Sequence, residues 1–400
     1  MIQPTALNRS LSLTQMVLYG IGTTVGAGIY ALVGEIAGVA GYLAPWSFLL
    51  AAGMAAFTAF SFARLSARYP SAAGAALYVQ HGFDSSRMGQ VVGFGVILAG
   101  VISSAALLNG FVGYLQEFVS PGPAITIVLA SIVLCAIAAW GVAESVWIAG
   151  IISVVEVLGL VWVTVLAGQA ADFSVPRLHQ LLPDMSLSTW SFVFSGAVLA
   201  FYAYIGFEDM VEVAEEVRDV STNLPRAIFL TLGISTVIYI MLVTTTIIAT
   251  GPELLAASQA PMAAVYRELT GGDPIVISFI GLFAIINGAL IQIIMASRVL
   301  YGLSSRGQLP PVFATVHPRT RTPLVATVTA ATAVMLFALA GSLASLAELT
   351  SVTMLSVFAL VNLSLYRLLR QQSPMHAAIG LVGGFICAGF ALRTVSLWFF

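Results

Sequence analysis

A chain of 400 residues that is 59% hydrophobic and only 8% charged, with a mean hydropathy of +1.00, is too apolar for a soluble protein. Its formal net charge is −2, and it has no polybasic tail and no signature of nucleic-acid binding. All fifteen Lys-or-Arg residues are arginines, which excludes any lysine-based mechanism, including Schiff-base chemistry. The two cysteines lack metal-binding spacing. We therefore expect a polytopic membrane protein that needs no cofactor.

Eleven segments meet the requirement of about 20 mostly apolar residues for a membrane-spanning helix. In chain order they are 13–37, 43–66, 89–115, 122–141, 146–169, 190–213, 225–250, 274–303, 323–341, 345–369 and 376–392. The last residues, Arg393 to Phe400, are too few for a twelfth span and are expected to form a tail. The whole chain, 1–400, is predicted to be one transmembrane domain.

The arginines predict the orientation of these spans. If the N-terminus lies in the cytoplasm, twelve arginines fall on the cytoplasmic side and only Arg177, Arg267 and Arg393 fall outside. Because short cytoplasmic loops carry an excess of basic residues, we expect a multi-pass protein of the cell membrane with a cytoplasmic N-terminus.

Two predicted spans carry residues that weaken a helix in the middle of the membrane. The first span contains Gly22-Thr23-Thr24-Val25-Gly26-Ala27-Gly28, and the sixth contains Phe201-Tyr202-Ala203-Tyr204-Ile205-Gly206-Phe207-Glu208-Asp209. Non-helical backbone at this depth is tolerated only where it is buried in protein or lines a cavity. One interrupted span in each half of the chain is typical of the binding site of a secondary transporter.

The positions of these breaks predict an internal repeat. The sixth span follows five others, so it crosses the membrane in the direction opposite to the first. Spans 1–5 (13–169) and spans 6–10 (190–369) would then be two inverted five-helix repeats, with 376–392 as a peripheral eleventh helix. This organisation is that of LeuT-type transporters. We therefore predict an all-α membrane protein with a LeuT-like fold.

The two breaks would offer complementary helix ends to a ligand. The second half of the first span would begin near Gly28 and expose N–H groups that favour a carboxylate, while Gly26 and Ala27 keep side chains out of the way. The first half of the sixth span would end near Ile205, where open carbonyls favour an ammonium group. Those carbonyls belong to Tyr202, Ala203, Tyr204 and Ile205. The expected ligand is a zwitterion such as an amino acid.

Each break also has a structural interpretation. Gly22, Gly26 and Ala27 could simply let helices approach each other. Glu208 and Asp209 lie mid-membrane, where an unpaired charge costs at least about 2.5–3.5 kcal/mol. A functional role for one of them competes with a role as the cap of the half-helix that follows. The residues alone leave both interpretations open.

Four segments, in this order, resemble the amino acid–polyamine–organocation permeases, especially the bacterial relatives of cationic and large neutral amino acid transporters. They are Gly22 to Tyr30, Phe62 to Gly82, Phe201 to Pro225 and Ser297 to Pro310. The resemblance implies a LeuT-like fold and alternating access.

The resemblance also implies roles for residues of the breaks. The substrate carboxylate would meet Thr24, Ala27 and Gly28, and its amine would meet the carbonyls of Tyr202, Ala203 and Ile205. Tyr202 or Tyr204 would close the site toward the outside. Where this chain has Ala27 the family often has Ser or Thr, so backbone N–H groups would hold the carboxylate.

A further departure from the family concerns ion coupling. Proton-coupled relatives can carry a lysine in the fifth helix, in the place of a sodium ion, and alignment puts Glu156 at or near that position. Glu156 would have to bind a proton, ligate sodium with backbone oxygens, or form a structural pair with a buried arginine. Asp209 and, more weakly, Ser297 are the other candidates for coupling or gating; no other metal site is expected.

Other polar residues in the spans have two interpretations each. Ser103, Ser104 and Asn109 would face the substrate side chain or serve packing. Asn287 and Gln292 are expected to form interhelical hydrogen bonds.

The acidic cluster Glu212, Glu215 and Glu216 would pair with Arg298 or Arg306 to close the cytoplasmic side, or form a solvated loop.

The combined prediction is an amino acid permease that works by ion-coupled symport or by exchange, with a proton or sodium as the ion and the lipid bilayer as its surroundings. The alternatives are a polyamine or organic-cation carrier that uses Glu208 and Asp209 as counter-charges, and an amino acid sensor that does not transport. An enzyme is not expected, because no histidine lies mid-span and the adjacent Glu208 and Asp209 would point about 100° apart on a helix. The sequence does not select one amino acid.

Overall fold

The computed structural model describes residues 10–70, 74–140 and 146–399, with side chains from residue 151 onward in the last range. Within these ranges the chain forms helices and connecting turns, without a β-strand. The α-helices, in chain order, are α1 Leu13–Thr24, α2 Ala27–Ala40, α3 Ala44–Arg68, α4 Gly74–Phe83, α5 Ser86–Leu115, α6 Pro123–Trp140, α7 Val146–Ala170, α8 Val175–Gln180, α9 Leu187–Tyr202, α10 Val220–Thr250, α11 Pro252–Ala257, α12 Pro261–Thr270, α13 Ile275–Ser305, α14 Leu324–Ala340, α15 Leu343–Leu369 and α16 Pro374–Phe399. Three 3₁₀ segments are Gly41–Leu43, Phe207–Glu216 and Pro311–Ala314.

All eleven predicted spans coincide with helices. Nine continuous helical stretches of the described residues are long and apolar enough to cross a membrane. One of these stretches, Ala27–Arg68, joins α2 and α3, which belong to two different predicted spans, and α14 is a shorter apolar helix of 17 residues. The prediction of a polytopic, all-helical membrane protein is therefore confirmed.

The prediction of a C-terminal tail from Arg393 onward was wrong, because α16 continues as a helix through Phe399. The end of this helix has partners on α9: the Arg393 guanidinium donates to the Ser191 hydroxyl at 2.9 Å and lies 5.4 Å from the Phe194 ring centroid. A charged residue with a cation–π and a hydrogen-bond partner can stay in the helix.

The broken spans lie in the middle of the bundle. Helix α1 packs against α7 and α10, α2 packs against α9, and α3 lies against both α9 and α10. Around them, α5 packs on α13 and α15, α6 packs on α14, and α16 covers α15 and α3. Both interrupted segments are therefore enclosed by other helices, which is the condition for open backbone at this depth.

One end of the bundle collects arginines and is called the arginine-rich end below. Helices α3 and α15 end there and α16 begins there, since Arg64 lies 3.0 Å from the His376 ring and Arg68 donates to the Gln372 amide oxygen at 3.1 Å. Both broken spans are tied together at this end. The Leu11 N–H donates to the Glu216 carbonyl at 3.0 Å and the Arg218 N–H donates to the Leu11 carbonyl at 2.9 Å.

A polar cluster around Asn362 joins α3, α15 and α16. The Asn362 amide donates to the Thr58 hydroxyl at 2.9 Å and accepts from the Ser61 hydroxyl at 2.6 Å. Asn362, Thr58 and Ser61 are all fully buried, and Cys387 of α16 lies 3.6 Å from the Thr58 hydroxyl. The cluster therefore holds α16 to the bundle through buried polar groups that have hydrogen-bond partners.

Replacing Asn362 with leucine should destabilise the protein. Two interhelical hydrogen bonds would be lost, and at about 0.6 kcal/mol for each such bond in a membrane protein the loss is roughly 1–2 kcal/mol. Thermal unfolding of the purified protein in detergent measures the effect. Thr353→Val is the matched control on the same helix, because the Thr353 hydroxyl bonds only within the helix, to the Leu349 carbonyl. Equal melting temperatures for the two variants would contradict the stabilising role of the interhelical bonds of Asn362.

Candidate functional site

The first span is interrupted between Thr24 and Ala27. Val25 and Gly26 are extended, with φ values of −93° and 178°, and α2 starts at Ala27, one residue before the predicted Gly28. The N-cap residue of α2, Gly26, supplies no side-chain hydrogen bond. The first amide groups of α2 therefore keep their donors available, together with the positive end of the helix dipole.

The sixth span ends its first half three residues earlier than predicted, at Tyr202 rather than near Ile205. The difference arises because the chain tightens into a turn. The N–H groups of Ala203, Tyr204 and Ile205 donate to the carbonyls three residues before them, at 3.0–3.1 Å. The Tyr202 carbonyl is thereby occupied by the Ile205 N–H and is not open to a ligand.

Gly206 and Glu208 shape the restart of the sixth span. Gly206 has φ +126°, a conformation that favours glycine, and a Cβ there would overlap the Thr23 carbonyl oxygen. The Glu208 carboxylate accepts the Gly206 N–H at 2.8 Å, so it caps the 3₁₀ segment that follows. A 3₁₀ run of ten residues is unusually long and marks a hinge or a strained segment.

The two breaks are bonded directly to each other and to α10. The Thr23 hydroxyl donates to the Gly206 carbonyl at 2.9 Å. The Tyr239 hydroxyl lies 2.7 Å from the Thr24 carbonyl oxygen and 2.8 Å from the Ala203 carbonyl oxygen. Tyr239 is fully buried, so its single hydroxyl joins both interrupted backbones in a site without water contact.

The role of Tyr239 was missed in the sequence because it lies in an ordinary apolar span. A tyrosine at mid-span does need a partner for its hydroxyl group, which is a usable signal. The sequence does not say that the partner is a break, because the bonded groups lie 215 and 36 positions away.

A small cavity of about 50 Å³ lies between the breaks. Five of the predicted substrate-binding residues line it: Thr24, Ala27, Gly28, Tyr202 and Ile205. The other wall includes Glu156, Asp209, Ser103, Asn287 and Gln292. The volume holds a few water molecules, and the breaks approach so closely that a Cβ on Gly28 would lie 3.0 Å from the Ala203 Cα.

The remaining predicted binding residues do not line this cavity. The Ala203 carbonyl is bonded to Tyr239, and the Tyr204 hydroxyl donates to the Phe48 carbonyl at 3.3 Å, away from the cavity. Val25 is fully buried. Among the described residues, the carbonyls of Tyr204 and Ile205 accept no hydrogen bond, and of these two residues Ile205 lines the cavity.

Thr24 adds a second unsatisfied group to the cavity wall. Its side chain is 3% exposed, and its hydroxyl has no hydrogen-bond partner among the described residues. Buried hydroxyl groups are normally bonded. The cavity therefore presents a hydroxyl and free amides on one side and a free carbonyl on the other.

Tyr202 lines the cavity and is bonded to Ser103. Its hydroxyl donates to the Ser103 carbonyl at 3.0 Å and lies 2.8 Å from the Ser103 hydroxyl. The alternative aromatic, Tyr204, does not lie at the cavity. Ser104 and Asn109 serve packing, since they donate to the Ala289 and Ala338 carbonyls of other helices.

Glu156 lies beside the first break. It is 4% exposed, and its Oε2 would lie 2.7 Å from a Cβ on Gly26. The Tyr30 hydroxyl donates to the Glu156 carbonyl at 2.8 Å and fixes α7 against α2. The described residues lining the cavity include no arginine. Ser297, by contrast, donates to the Ile294 carbonyl within its own helix and lies outside the cavity.

A larger cavity of about 400 Å³ opens toward the arginine-rich end. Its wall includes Ser103, Ile205, Asp209 and Gln292, which also line the small cavity, so the two spaces adjoin. Asp209 stands at their junction, 5% exposed, and no described residue donates a hydrogen bond to its carboxylate.

The charged residues of this larger cavity do not close it. Glu212 and Glu216 share its wall with Arg298 and Arg306. In the described part of the chain, neither glutamate forms an ion pair with either arginine. Asn287 and Gln292 likewise form no interhelical hydrogen bond there and instead face the small cavity. The expected ion pairs of Glu212 and Glu216 with these arginines and the two expected hydrogen bonds are therefore not formed among the described residues.

The fold is that of a known class of membrane transporters. A solved structure of a Na⁺-coupled sialic acid symporter, in a substrate-bound outward-open state, superimposes with a TM-score of 0.63 at 12% identity, covering 98% of this chain and 90% of that chain. Together with two interrupted helices around a central cavity, this likeness shows that the chain has a LeuT-like fold.

The chain belongs to the amino acid permease family, whose sequence profile matches residues 11–400. It is 30% identical to an uncharacterized transporter of Mycobacterium tuberculosis, over 98% of this chain and 88% of the relative. It is 28% identical to the branched-chain amino acid permease BcaP of Bacillus subtilis, over 97% and 86%. It is also 28% identical to the vacuolar cationic amino acid transporter 2 of Arabidopsis thaliana, over 80% of this chain and 54% of that protein.

Removing the Tyr239 hydroxyl should loosen both breaks. Tyr239→Phe leaves the Thr24 and Ala203 carbonyls without this donor, and an unsatisfied buried polar group costs about 1–3 kcal/mol. We expect a clear fall in the melting temperature and in transport rate. Tyr204→Phe is the matched control, because its hydroxyl bond to Phe48 is longer and lies outside the cavity. Equal losses in both variants would refute a special role for Tyr239.

Proposed function

We propose that this permease binds one free amino acid between the two breaks and carries it across the membrane by alternating access. One observation carries the proposal: the first residues of α2, which has no side-chain cap, and Ile205, whose carbonyl accepts no hydrogen bond from a described residue, line the same cavity. Opposite ends of two helix dipoles at one site suit a ligand that carries both charges.

The carboxylate of the ligand would bind at the start of α2. The first-turn amides donate to it, and the helix dipole favours its negative charge. The Thr24 hydroxyl is the side-chain donor that supplements them, because residue 27 is an alanine and has no hydroxyl.

The ammonium group would bind at Ile205. Tyr239 occupies the Ala203 carbonyl and the turn occupies the Tyr202 carbonyl, and of the two residues with open carbonyls, Tyr204 and Ile205, the one that lines the cavity is Ile205. The side chain of the amino acid would then extend past Ser103 and Gln292 toward the larger cavity, because the small cavity has room only for the charged groups.

Movement between two states follows from the asymmetry of the cavities. Tyr202 and Ser103 seal one side, while the larger cavity leads to the arginine-rich end. Arginine bias assigns that end to the cytoplasm, so this conformation is open inward. The packing of α3 on α10, α5 on α13 and α6 on α14 supports the inverted repeats 13–169 and 190–369, since these pairs are counterparts in the two units.

Glu156 is proposed as the coupling residue. A carboxylate beside an interrupted helix can hold a proton or ligate a sodium ion with nearby backbone oxygens. Its position next to Gly26 means that a change of its charge acts directly on the start of α2, where the substrate carboxylate binds.

Uptake of a panel of radiolabelled amino acids into proteoliposomes tests both proposals. We expect saturable uptake that a proton or a sodium gradient stimulates. In Glu156→Gln the stimulation by the gradient should disappear, while exchange against preloaded amino acid continues, because the binding groups remain.

Glu268→Gln is the control for removal of a carboxylate at an exposed position. Undiminished stimulation in Glu156→Gln would refute its coupling role. Binding without uptake or exchange would instead identify a sensor, and absence of amino acid binding would refute the zwitterion site.

A second candidate ligand is one with a cationic side chain, because the Asp209 carboxylate would attract that charge. Glu208 is engaged in capping Gly206, so Asp209 is the carboxylate at the cavity junction that remains available as a counter-charge. A polyamine or another organic cation would use the same group and would not need the amides of α2.

Competition separates these ligand classes. If the side chain is cationic, Asp209→Asn should weaken inhibition by arginine at least tenfold, about 1.4 kcal/mol, and leave inhibition by leucine unchanged. Glu216→Gln is the control within the larger cavity. Strong competition by a diamine without a carboxylate would favour the polyamine carrier, and equal effects on arginine and leucine would exclude Asp209 as the selecting group.

A further inference from the structure

A group of cationic side chains at the arginine-rich end is separate from both cavities. Arg64 and Arg68 lie one turn apart on α3, and both are exposed. Arg64 approaches the His376 ring at 3.0 Å, and Arg68 donates to Gln372 at 3.1 Å. We call Arg64, Arg68 and His376 the basic patch.

The positive charges of the basic patch have no carboxylate partner among the described residues. The contacts of Arg64 are a histidine and the Phe60 ring, 5.4 Å away, and those of Arg68 are an amide and the Tyr69 ring, 5.7 Å away. No aspartate or glutamate occurs in 36–83 or in 349–400, the ranges that supply α3, α4, α16 and most of α15. The acidic residue nearest to Arg64 and Arg68 along the chain is Asp84, in the turn after α4.

More positive charge lies beside the patch on α15. Arg367 is exposed and lies 4.7 Å from the Phe83 ring centroid, and Arg370 is exposed where α15 ends. The N-terminus of α16 begins at Pro374 within the same region, and the Ser373 hydroxyl lies 2.8 Å from the His376 ring. A helix N-terminus and several guanidinium groups together suit a phosphate.

An exposed apolar stripe runs from this region along α16. Met375, Val382 and Phe385 recur at helical spacing and are 71%, 46% and 68% exposed. The stripe faces outward from the bundle, since α15 and α3 cover the opposite side of α16. A ligand here would thus meet cations at the level of the helix ends and an apolar surface below them.

We propose that the basic patch is a binding site for the phosphodiester headgroup of an anionic phospholipid, with its acyl chains along the Met375–Phe385 stripe of α16. Charge complementarity selects an anion, and the continuous apolar stripe favours a lipid over a soluble phosphate. Because α3 and α16 make the contacts, a bound lipid joins α16 to the central bundle.

Lipid titration of the purified full chain tests this site. The protein in detergent is titrated with short-chain phosphatidylglycerol or phosphatidylcholine, and bound lipids are counted by native mass spectrometry. We expect tighter binding of phosphatidylglycerol. Each arginine near a membrane surface contributes about 1 kcal/mol to anionic-lipid binding, so the double variant Arg64→Gln/Arg68→Gln should bind roughly thirtyfold more weakly.

Two further variants make the test specific. Arg64→Lys/Arg68→Lys keeps the charge and should retain most of the binding. The control is Arg319→Gln, which removes an exposed arginine from the turn at 317–322. This turn lies elsewhere, beside the end of α6, since the Thr322 hydroxyl donates to the Ala139 carbonyl. The control variant should bind the lipid as tightly as the unmodified protein does. If the double Gln variant does not fold, each single Gln variant should still lose about fivefold.

Three results would overturn the proposal: equal affinity for the two lipids, full binding by the Gln variants, or equal loss in Arg319→Gln. Inorganic phosphate that displaces phosphatidylglycerol at millimolar concentration would instead assign the patch to a soluble anion. None of these results depends on the substrate or on the direction of transport.

Discussion

Backbone groups at the depth of a lipid bilayer have no water to bond with, and this constraint governs the centre of the protein. Two helices are interrupted there, and each supplies partners for the other. The Thr23 hydroxyl satisfies the Gly206 carbonyl, the Glu208 carboxylate satisfies the Gly206 N–H, and Tyr239 bridges the Thr24 and Ala203 carbonyls. Residues on both sides of the two breaks line one small cavity, among them Thr24, Gly28 and Ile205.

The positions of the surrounding helices follow from the same need for hydrogen-bond partners. Helix α10 must lie close enough to place one hydroxyl within 2.8 Å of both breaks, and α7 is held against α2 by the bond from Tyr30 to the Glu156 carbonyl. These contacts make the break region a unit to which two further helices, α10 and α7, are attached. A movement that separates the halves of a broken helix must therefore change bonds to α10 or α7.

Three buried carboxylates of similar chemistry have different surroundings. Glu208 is engaged by a backbone amide, Asp209 stands at the junction of two cavities, and Glu156 lies against the glycine that precedes α2. The first stabilises the restart of a helix, and the other two face space that a ligand or an ion can enter. Adjacent residues such as Glu208 and Asp209 differ in this way because successive side chains of a helical segment point in different directions.

The sequence by itself determined the polytopic, all-helical class of the protein and the two segments in which a helix is interrupted, to within about three residues. Span length is a local property that about 20 apolar residues satisfy, and Gly26 and Gly206 alter the backbone where they stand. Only the tertiary structure decided which carbonyl stays open, since Tyr239 reaches Thr24 across 215 positions and removes Ala203 from the predicted set. It also turned Tyr204 toward Phe48, placed Ser297 outside the cavity and gave the end of α16 partners on α9. These outcomes depend on packing between distant segments, and a periodic pattern of apolar residues does not encode which distant side chain will meet a given backbone group.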